Sequence, residues 1–307
     1  MHQFSRICVI GAAGVVGSSV AAQLAAHGLG QELYLQDIRE NLVEAHRIDI
    51  SDAQALLGLD EPQLFVGAAP AGTADLVIVA ASLPENPRAD RREFLQGNAG
   101  LLRGLAPSVH EQLAPEGVVL LLSNPVDILA DWMTRTLGFS ETRLIGYSLN
   151  DAARFRAAVA DELGMRVSHI DAMVLGEHGR GQVPVFSSVR VNGRAVEWRP
   201  AQKQRLEEHM AGWFGRYLAL NSGRSSGWAS GFGVMKLVRE LEHGQQVITT
   251  VSTRGIPQLP ETYTALPVRW SGQSMRAELP ALDRGELELL RQVARSTRAA
   301  ADELEST

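Results

Sequence analysis

Ile7–Leu24 reads ICVIGAAGVVGSSVAAQL: an apolar run, glycines at positions 11, 14 and 17, then a small-residue stretch with helical character. A strand that ends on glycine and restarts as a helix lets the backbone bend sharply. It also turns the first amides of the helix, those of Val15, Val16 and Gly17, toward an anion. A diphosphate suits such a cradle. A tight turn that binds nothing gives the same pattern, so the neighbouring sequence has to decide. Twenty residues beyond Gly17, Asp37 closes a second apolar run, ELYLQD. A carboxylate there accepts hydrogen bonds from the ribose hydroxyls of a dinucleotide and repels a 2′-phosphate, which favours NAD over NADP. Arg39 argues the other way, and capping a helix is the competing use of Asp37.

The same texture continues outward. Short β-branched or leucine-rich runs recur as RICVIG, ELYLQD, DLVIVAAS, GVVLLLSNP and RLIGYS, with helical stretches such as NLVEAHRIDISDAQALLG between most of them. Strands that are apolar throughout and alternate with helices predict a parallel sheet covered on both faces, so residues 1–146 read as a doubly wound α/β domain. From residue 147 the pattern changes. The helix DAARFRAAVADELG leads to HIDAMVLGEHG, and VPVFSSVRVNGRAVEW then alternates around Asn192-Gly193, a hairpin signal. Helices are expected from about Ala201 to Leu220 and from Trp228 to His243, a strand pair near QQVITTVST and LPVRWSGQSMRAEL, and a last amphipathic helix at Asp283–Glu305. Residues 147–307 thus predict an α+β domain with an antiparallel sheet.

Composition narrows the partners. Of 307 residues, 29 are basic and 35 acidic, giving a formal charge of -6 with no long basic run, so no phosphate-tracking surface for nucleic acid is expected. One cysteine, Cys8, excludes a disulfide framework and a Cys-based zinc site, and it fits a reducing compartment. No stretch has signal-peptide or membrane-spanning character, so the expected setting is the cytoplasm, with no membrane partner and a small molecule as ligand.

Four further clusters follow in order: RADRREFLQGN, SNPVD, NDAARF and GEHG. With these the chain resembles the lactate/malate dehydrogenase family, from GAAGVVG to the last helix. The resemblance implies an enzyme, an NAD-dependent 2-hydroxy acid dehydrogenase with a Rossmann domain and a substrate domain, acting on a small 2-oxo or 2-hydroxy acid as a dimer or tetramer. Under it, His178 is the proton donor and acceptor, Asp151 its orienting partner, Arg154 the anchor for the substrate carboxylate, and Arg91 the loop arginine that polarises the carbonyl. It sets Asn98 beside the cofactor, Asn124 against both nicotinamide ribose and substrate, and Ser226 of SSGWASG near the nicotinamide.

Physical chemistry supports these residue types. Reduction of a 2-oxo acid builds negative charge on an oxygen, which calls for a proton source titrating near neutrality and a fixed cation beside it. Asp151 and Arg154, three apart, share one helical face, and a guanidinium grips a carboxylate through paired hydrogen bonds. Arg91 and Asn98, seven apart, share a face of a helix expected from about Ala89. Other readings stay open: His178 as an ordinary loop residue, Asp151 as a cap, Arg154 as an internal partner of Asp151, and Arg91 as a solvated charge.

One position departs from the pattern. In the family, the residue six before the loop arginine meets the substrate's side chain, and malate enzymes usually carry arginine there. Here it is Glu85. A glutamate facing a second carboxylate in a water-poor site costs several kcal/mol unless it is protonated or paired. The expected substrate therefore carries a polar or cationic side chain. The alternatives are Glu85 pointing to solvent, with Arg88 meeting a dicarboxylate as in a malate dehydrogenase, or an NAD-binding regulator without turnover. A short-chain dehydrogenase is excluded, because none of the four tyrosines has lysine four residues on. So is an NAD-dependent glycosidase, which needs a Cys/His metal site where Cys8 stands in the first strand.

Overall fold

The computed structural model describes residues 3–83, 91–221, 226–272 and 274–305, the side chain of Arg91 excepted. The first half alternates as its sequence predicts: β1 (Arg6–Ile10), α1 (Val15–Ala26), β2 (Glu32–Gln36), α2 (Glu40–Leu57), β3 (Gln63–Val66), β4 (Ala74–Val79), α3 (Arg91–Gln112), β5 (Leu113–Leu121), α4 (Val126–Thr136) and β6 (Leu144–Gly146). The second half adds α5 (Leu149–Leu163), β7 (Ile170–Asp171), β8 (Val174–Gly176), β9 (Gln182–Pro184), β10 (Arg190–Val191), β11 (Arg194–Ala195), α6 (Pro200–Ala219), α7 (Trp228–Glu242), β12 (Val247–Ser252), β13 (Tyr263–Trp270), β14 (Met275–Ala277) and α8 (Arg284–Glu305).

The first six strands are parallel in the order β3-β2-β1-β4-β5-β6. Strand order reverses between β1 and β4, and open α/β sheets bind ligands at the carboxyl ends of strands at such a point. Why these runs are apolar throughout is visible in their side chains. Ile7 and Val9 of β1 join one buried cluster while Cys8 and Ile10 join another. Leu76 and Ile78 of β4 likewise separate from Val77 and Val79. Both faces are core, so alternation with polar residues is absent.

The second half holds the expected antiparallel strands, and most of them extend the first sheet: β12 bridges β6 through Thr250 and Gly146, and the parallel sheet continues into antiparallel β12-β13-β8-β9, with β14 on β13. β6 would otherwise present an open row of backbone groups, and β12 covers it; the Thr249 hydroxyl adds a hydrogen bond to the Gly146 carbonyl. The separate sheet is only β11-β10-β7, built on the hairpin at Asn192 (φ 50°) and Gly193 (φ 76°). One departure from expectation is local: the alternating run from Val183 breaks at Phe186–Ser188 into a single 3₁₀ turn. Glu286 of α8 accepts from both the Ser187 amide (2.9 Å) and its hydroxyl (2.5 Å), which takes that backbone out of any ladder. Among the described residues, no helix is long and apolar enough to cross a membrane.

Candidate active site

The glycine loop lies at the β1/β4 reversal. Its Gly11 and Ala12 amides both donate to the Gln36 carbonyl, at 2.8 and 3.1 Å, which folds the loop back over the end of β2. Gly11 has φ +90°, and a side chain on it would lie 2.5 Å from the Ala81 nitrogen. A side chain on Gly17 would meet the Gly11 carbonyl oxygen at 2.1 Å, so α1 seats against the loop only because that position is bare. No side chain caps α1, and its first turn holds no acid. Its positive end therefore faces the crevice unneutralised by its own residues. Asp37 does not cap α2. Its carboxylate instead accepts from the Ala13 amide at 3.2 Å and the Arg39 amide at 3.1 Å, and pairs with the Arg39 side chain at 3.6 Å. Loop and acid thus form one unit.

Across the reversal, Asn98 of α3 is fully buried. Its carboxamide oxygen accepts from the Leu83 amide at 2.9 Å, and its nitrogen donates to the Asn124 carbonyl at 2.8 Å. Asn98 clamps the segments leaving β4 and β5. The half-buried Asn124 follows β5 and begins the turn into α4.

The residues expected to carry the chemistry, His178, Asp151 and Arg154, are brought together. The His178 Nδ1 lies 2.6 Å from one Asp151 oxygen, while the other Asp151 oxygen accepts from Gln182 at 3.0 Å and from the Arg154 Nη1 at 3.3 Å. The internal ion pair allowed by the sequence is present, yet it does not compete with the histidine, because the two use different oxygens. A carboxylate on Nδ1 fixes the ring's tautomer and leaves Nε2 to face a ligand. Asp127 of α4, fully buried, holds the backbone: it accepts from the His178 amide at 2.7 Å and from the Thr250 hydroxyl at 2.9 Å. Burial opposes a charge on the His178 ring, but the charge and hydrogen bond of Asp151, helped by Asp127 and resisted by Arg154, outweigh it and raise its pKa. Burial, reinforced by the charge of Glu177, pushes the Asp127 carboxyl up to about 7. Arg154 lies over the indole of Trp213, with its guanidinium carbon 3.4 Å from the ring centroid.

Residues 5–146 match the model of the lactate/malate dehydrogenase NAD-binding domain, and residues 149–306 that of the lactate/malate dehydrogenase alpha/beta C-terminal domain. The chain belongs to the lactate/malate dehydrogenase family. It is 30% identical over 286 residues to L-lactate dehydrogenase B of Hordeum vulgare, covering 87% of this chain and 81% of that one. It is 31% identical over 266 residues to a malate dehydrogenase of Thermoproteus tenax, covering 82% and 84%. The Cryptosporidium parvum malate dehydrogenase structure shares the fold over 100% of both chains at a TM-score of 0.89 and 23% identity. Lactate and malate enzymes match about equally well, so overall likeness does not choose between their substrates.

As a member of this family, the chain is an NAD-dependent oxidoreductase acting on a CH-OH donor. The uncapped α1 terminus and the Asp37 carboxylate tied to the loop suit that dinucleotide. Of the other expected residues, Ser226 is half-buried just ahead of α7, and its carbonyl is 3.5 Å from the Ser230 hydroxyl. Ser230 in turn accepts from Asn150, directly before Asp151. Glu85, Arg88 and the Arg91 side chain lie outside the described residues. Sequence reading passed over Asp127, Gln182 and Trp213 as individuals. Asp127 carried a signal, standing three residues after Asn124 in the quoted SNPVD; Gln182 and Trp213 carried none.

Proposed function

We propose that the protein reversibly reduces a small 2-oxo acid to a 2-hydroxy acid with NADH, and that His178 supplies and recovers the proton. The bond from His178 Nδ1 to Asp151, with Arg154 on the same carboxylate, carries this reading. NADH, when bound, supplies the hydride. Arg154 takes the substrate's carboxylate through paired N–H groups, and Arg91 adds positive charge at the reacting oxygen. Protonated His178 donates through Nε2 as charge builds on that oxygen, and Asp151 stabilises the imidazolium beforehand. Asn124 lines the junction of the two ligands, and Ser226 closes the nicotinamide side.

On the cofactor side, Gly11, Gly14, Val15, Val16 and Gly17 hold the diphosphate, and Asp37 takes the ribose hydroxyls. Asp37→Ala is expected to weaken NADH roughly tenfold while improving NADPH relative to NADH, because a charge that repels a 2′-phosphate is gone. Fluorescence titration of both nucleotides checks this. An unchanged NADH/NADPH ratio would remove Asp37 from cofactor selection.

For the substrate, Glu85 favours a 2-oxo acid whose side chain ends in an amine, a guanidine or hydroxyls. Steady-state rates with NADH across oxaloacetate, pyruvate, 5-guanidino-2-oxopentanoate and a hydroxylated 2-oxo acid test this. The guanidinylated or hydroxylated compound is expected to exceed oxaloacetate in kcat/KM by at least about a hundredfold, the scale of an unpaired buried charge. If oxaloacetate leads, the Glu85 argument falls and the malate reading through Arg88 replaces it. NADH binding with no turnover of any of these acids would leave a regulator.

A further inference from the structure

We infer that Trp213 is a positioning residue for substrate binding: its indole face holds the Arg154 guanidinium so that the edge of that cation, rather than its face, meets the acid. The inference rests on the reading of Arg154 as the carboxylate anchor.

The sequence of α6 explains why a tryptophan reaches this place. Leu206, Met210, Trp213 and Tyr217 recur at helical spacing along one face. Leu206 and Met210 are buried in the cluster that holds Phe155 and Ala158 of α5. One turn beyond Met210, the same face meets the turn of α5 that carries Arg154. There the packing changes character, because Trp213 contacts a cation. Tyr217, on the same helix, stacks with the indole in turn, with centroids 5.4 Å apart and planes 11° from parallel.

Geometry then dictates what the stack does. With the guanidinium carbon 3.4 Å above the ring centroid, an upright guanidinium would drive its nitrogens inside van der Waals contact with the indole, so the flat cation lies on the flat ring. Stacking occupies the face and leaves the in-plane N–H donors free for hydrogen bonding. Asp151 takes one of those donors, on Nη1 at 3.3 Å. Arg154 is thereby held on two sides, by an aromatic plane and a carboxylate corner, and the rest of its planar fork is oriented before any substrate arrives. A guanidinium fixed beforehand loses less freedom when it binds a carboxylate. Lysine has no plane to stack.

Trp213→Leu, Trp213→Phe, Arg154→Lys and the Arg154→Lys/Trp213→Leu double variant decide the matter. KM and kcat are measured with the fastest 2-oxo acid of the panel above, and the affinity of the enzyme–NADH complex for oxamate by calorimetry. Trp213→Leu is expected to raise KM and weaken oxamate roughly tenfold, with kcat changed less than about threefold and NADH affinity unchanged; Trp213→Phe recovers most of the loss. In the Arg154→Lys background, where the plane is gone, Trp213→Leu adds less than about threefold. A Trp213→Leu protein that melts earlier but keeps KM and oxamate affinity would overturn the proposal and leave Trp213 as the end of an apolar stripe. So would equal penalties in both backgrounds. If Arg154→Lys itself leaves KM and oxamate binding unchanged, the anchor reading fails first, an outcome the single Arg154 variant identifies separately.

Discussion

His178→Asn lowers kcat for 2-oxo acid reduction by about three orders of magnitude, while NADH binds within about twofold of wild type. The size follows from what is lost and what is kept. General acid catalysis by a positioned group contributes about 10²–10⁴-fold, and a thousandfold is about 4 kcal/mol of barrier. Asparagine places an N–H near the position of Nδ1, so the hydrogen bond to Asp151 has a successor. The backbone amide of residue 178, which donates to Asp127, is untouched. Fold, loop and cofactor crevice therefore persist, and what disappears is Nε2 and its proton. Steady-state kinetics alongside NADH fluorescence titration measures both halves. A loss smaller than about tenfold would mean that the proton comes from elsewhere, and the role given to His178 would be withdrawn.

How much of this was legible beforehand depends on the distance in sequence over which each feature is decided. The glycine loop, the first apolar strands and Asp37 lie within one βαβ unit, and local sterics and patterning specify them; the parallel direction of the first six strands follows from the same alternation. Asp151 and Arg154 share a helix, so their pairing was readable from spacing alone. Longer-range features were not. Nothing local in QQVITTVST announces that β12 adds to the edge of β6, since a strand with two buried neighbours has the same composition in a sheet of its own. The break at Ser187 is imposed by Glu286, 99 residues away. Asp127 stood only as the last residue of SNPVD, and its bond to the His178 amide spans 51 residues. Trp213 is the sharpest case. Along α6 it continues the hydrophobic stripe of Leu206 and Met210, and only the meeting of two helices makes its ring a seat for Arg154.

Asp151→Asn tests the electrostatics rather than the geometry, and its signature is a displaced pH profile. In the wild type, the groups facing His178 are Asp151 and Arg154 from α5 and Asp127 from α4. Burial favours the neutral ring, and the carboxylates overcome it. The imidazolium needed for reduction therefore survives to a higher pH than an ordinary histidine allows, and reduction declines as pH rises through that raised pKa. Oxidation of the hydroxy acid needs the neutral ring and gains over the same interval. Asparagine keeps an oxygen that accepts from Nδ1 but removes the charge. Burial and Arg154 then act against Asp127 alone, so the imidazole pKa falls and both limbs move to lower pH. At neutral pH kcat/KM for reduction drops by about a hundredfold, from the smaller protonated fraction and an imidazolium less stabilised in the transition state, and because the equilibrium constant at that pH is fixed, kcat/KM for oxidation falls by the same factor where cofactor affinities are unchanged. Arg154 also loses its ion pair, so KM rises together with the fall in kcat. Profiles of kcat/KM in both directions from pH 5 to 10 separate this from simple damage, because a distorted site scales the curve without moving its inflection. An inflection that stays in place in Asp151→Asn would show that Asp151 orients the ring without setting its charge.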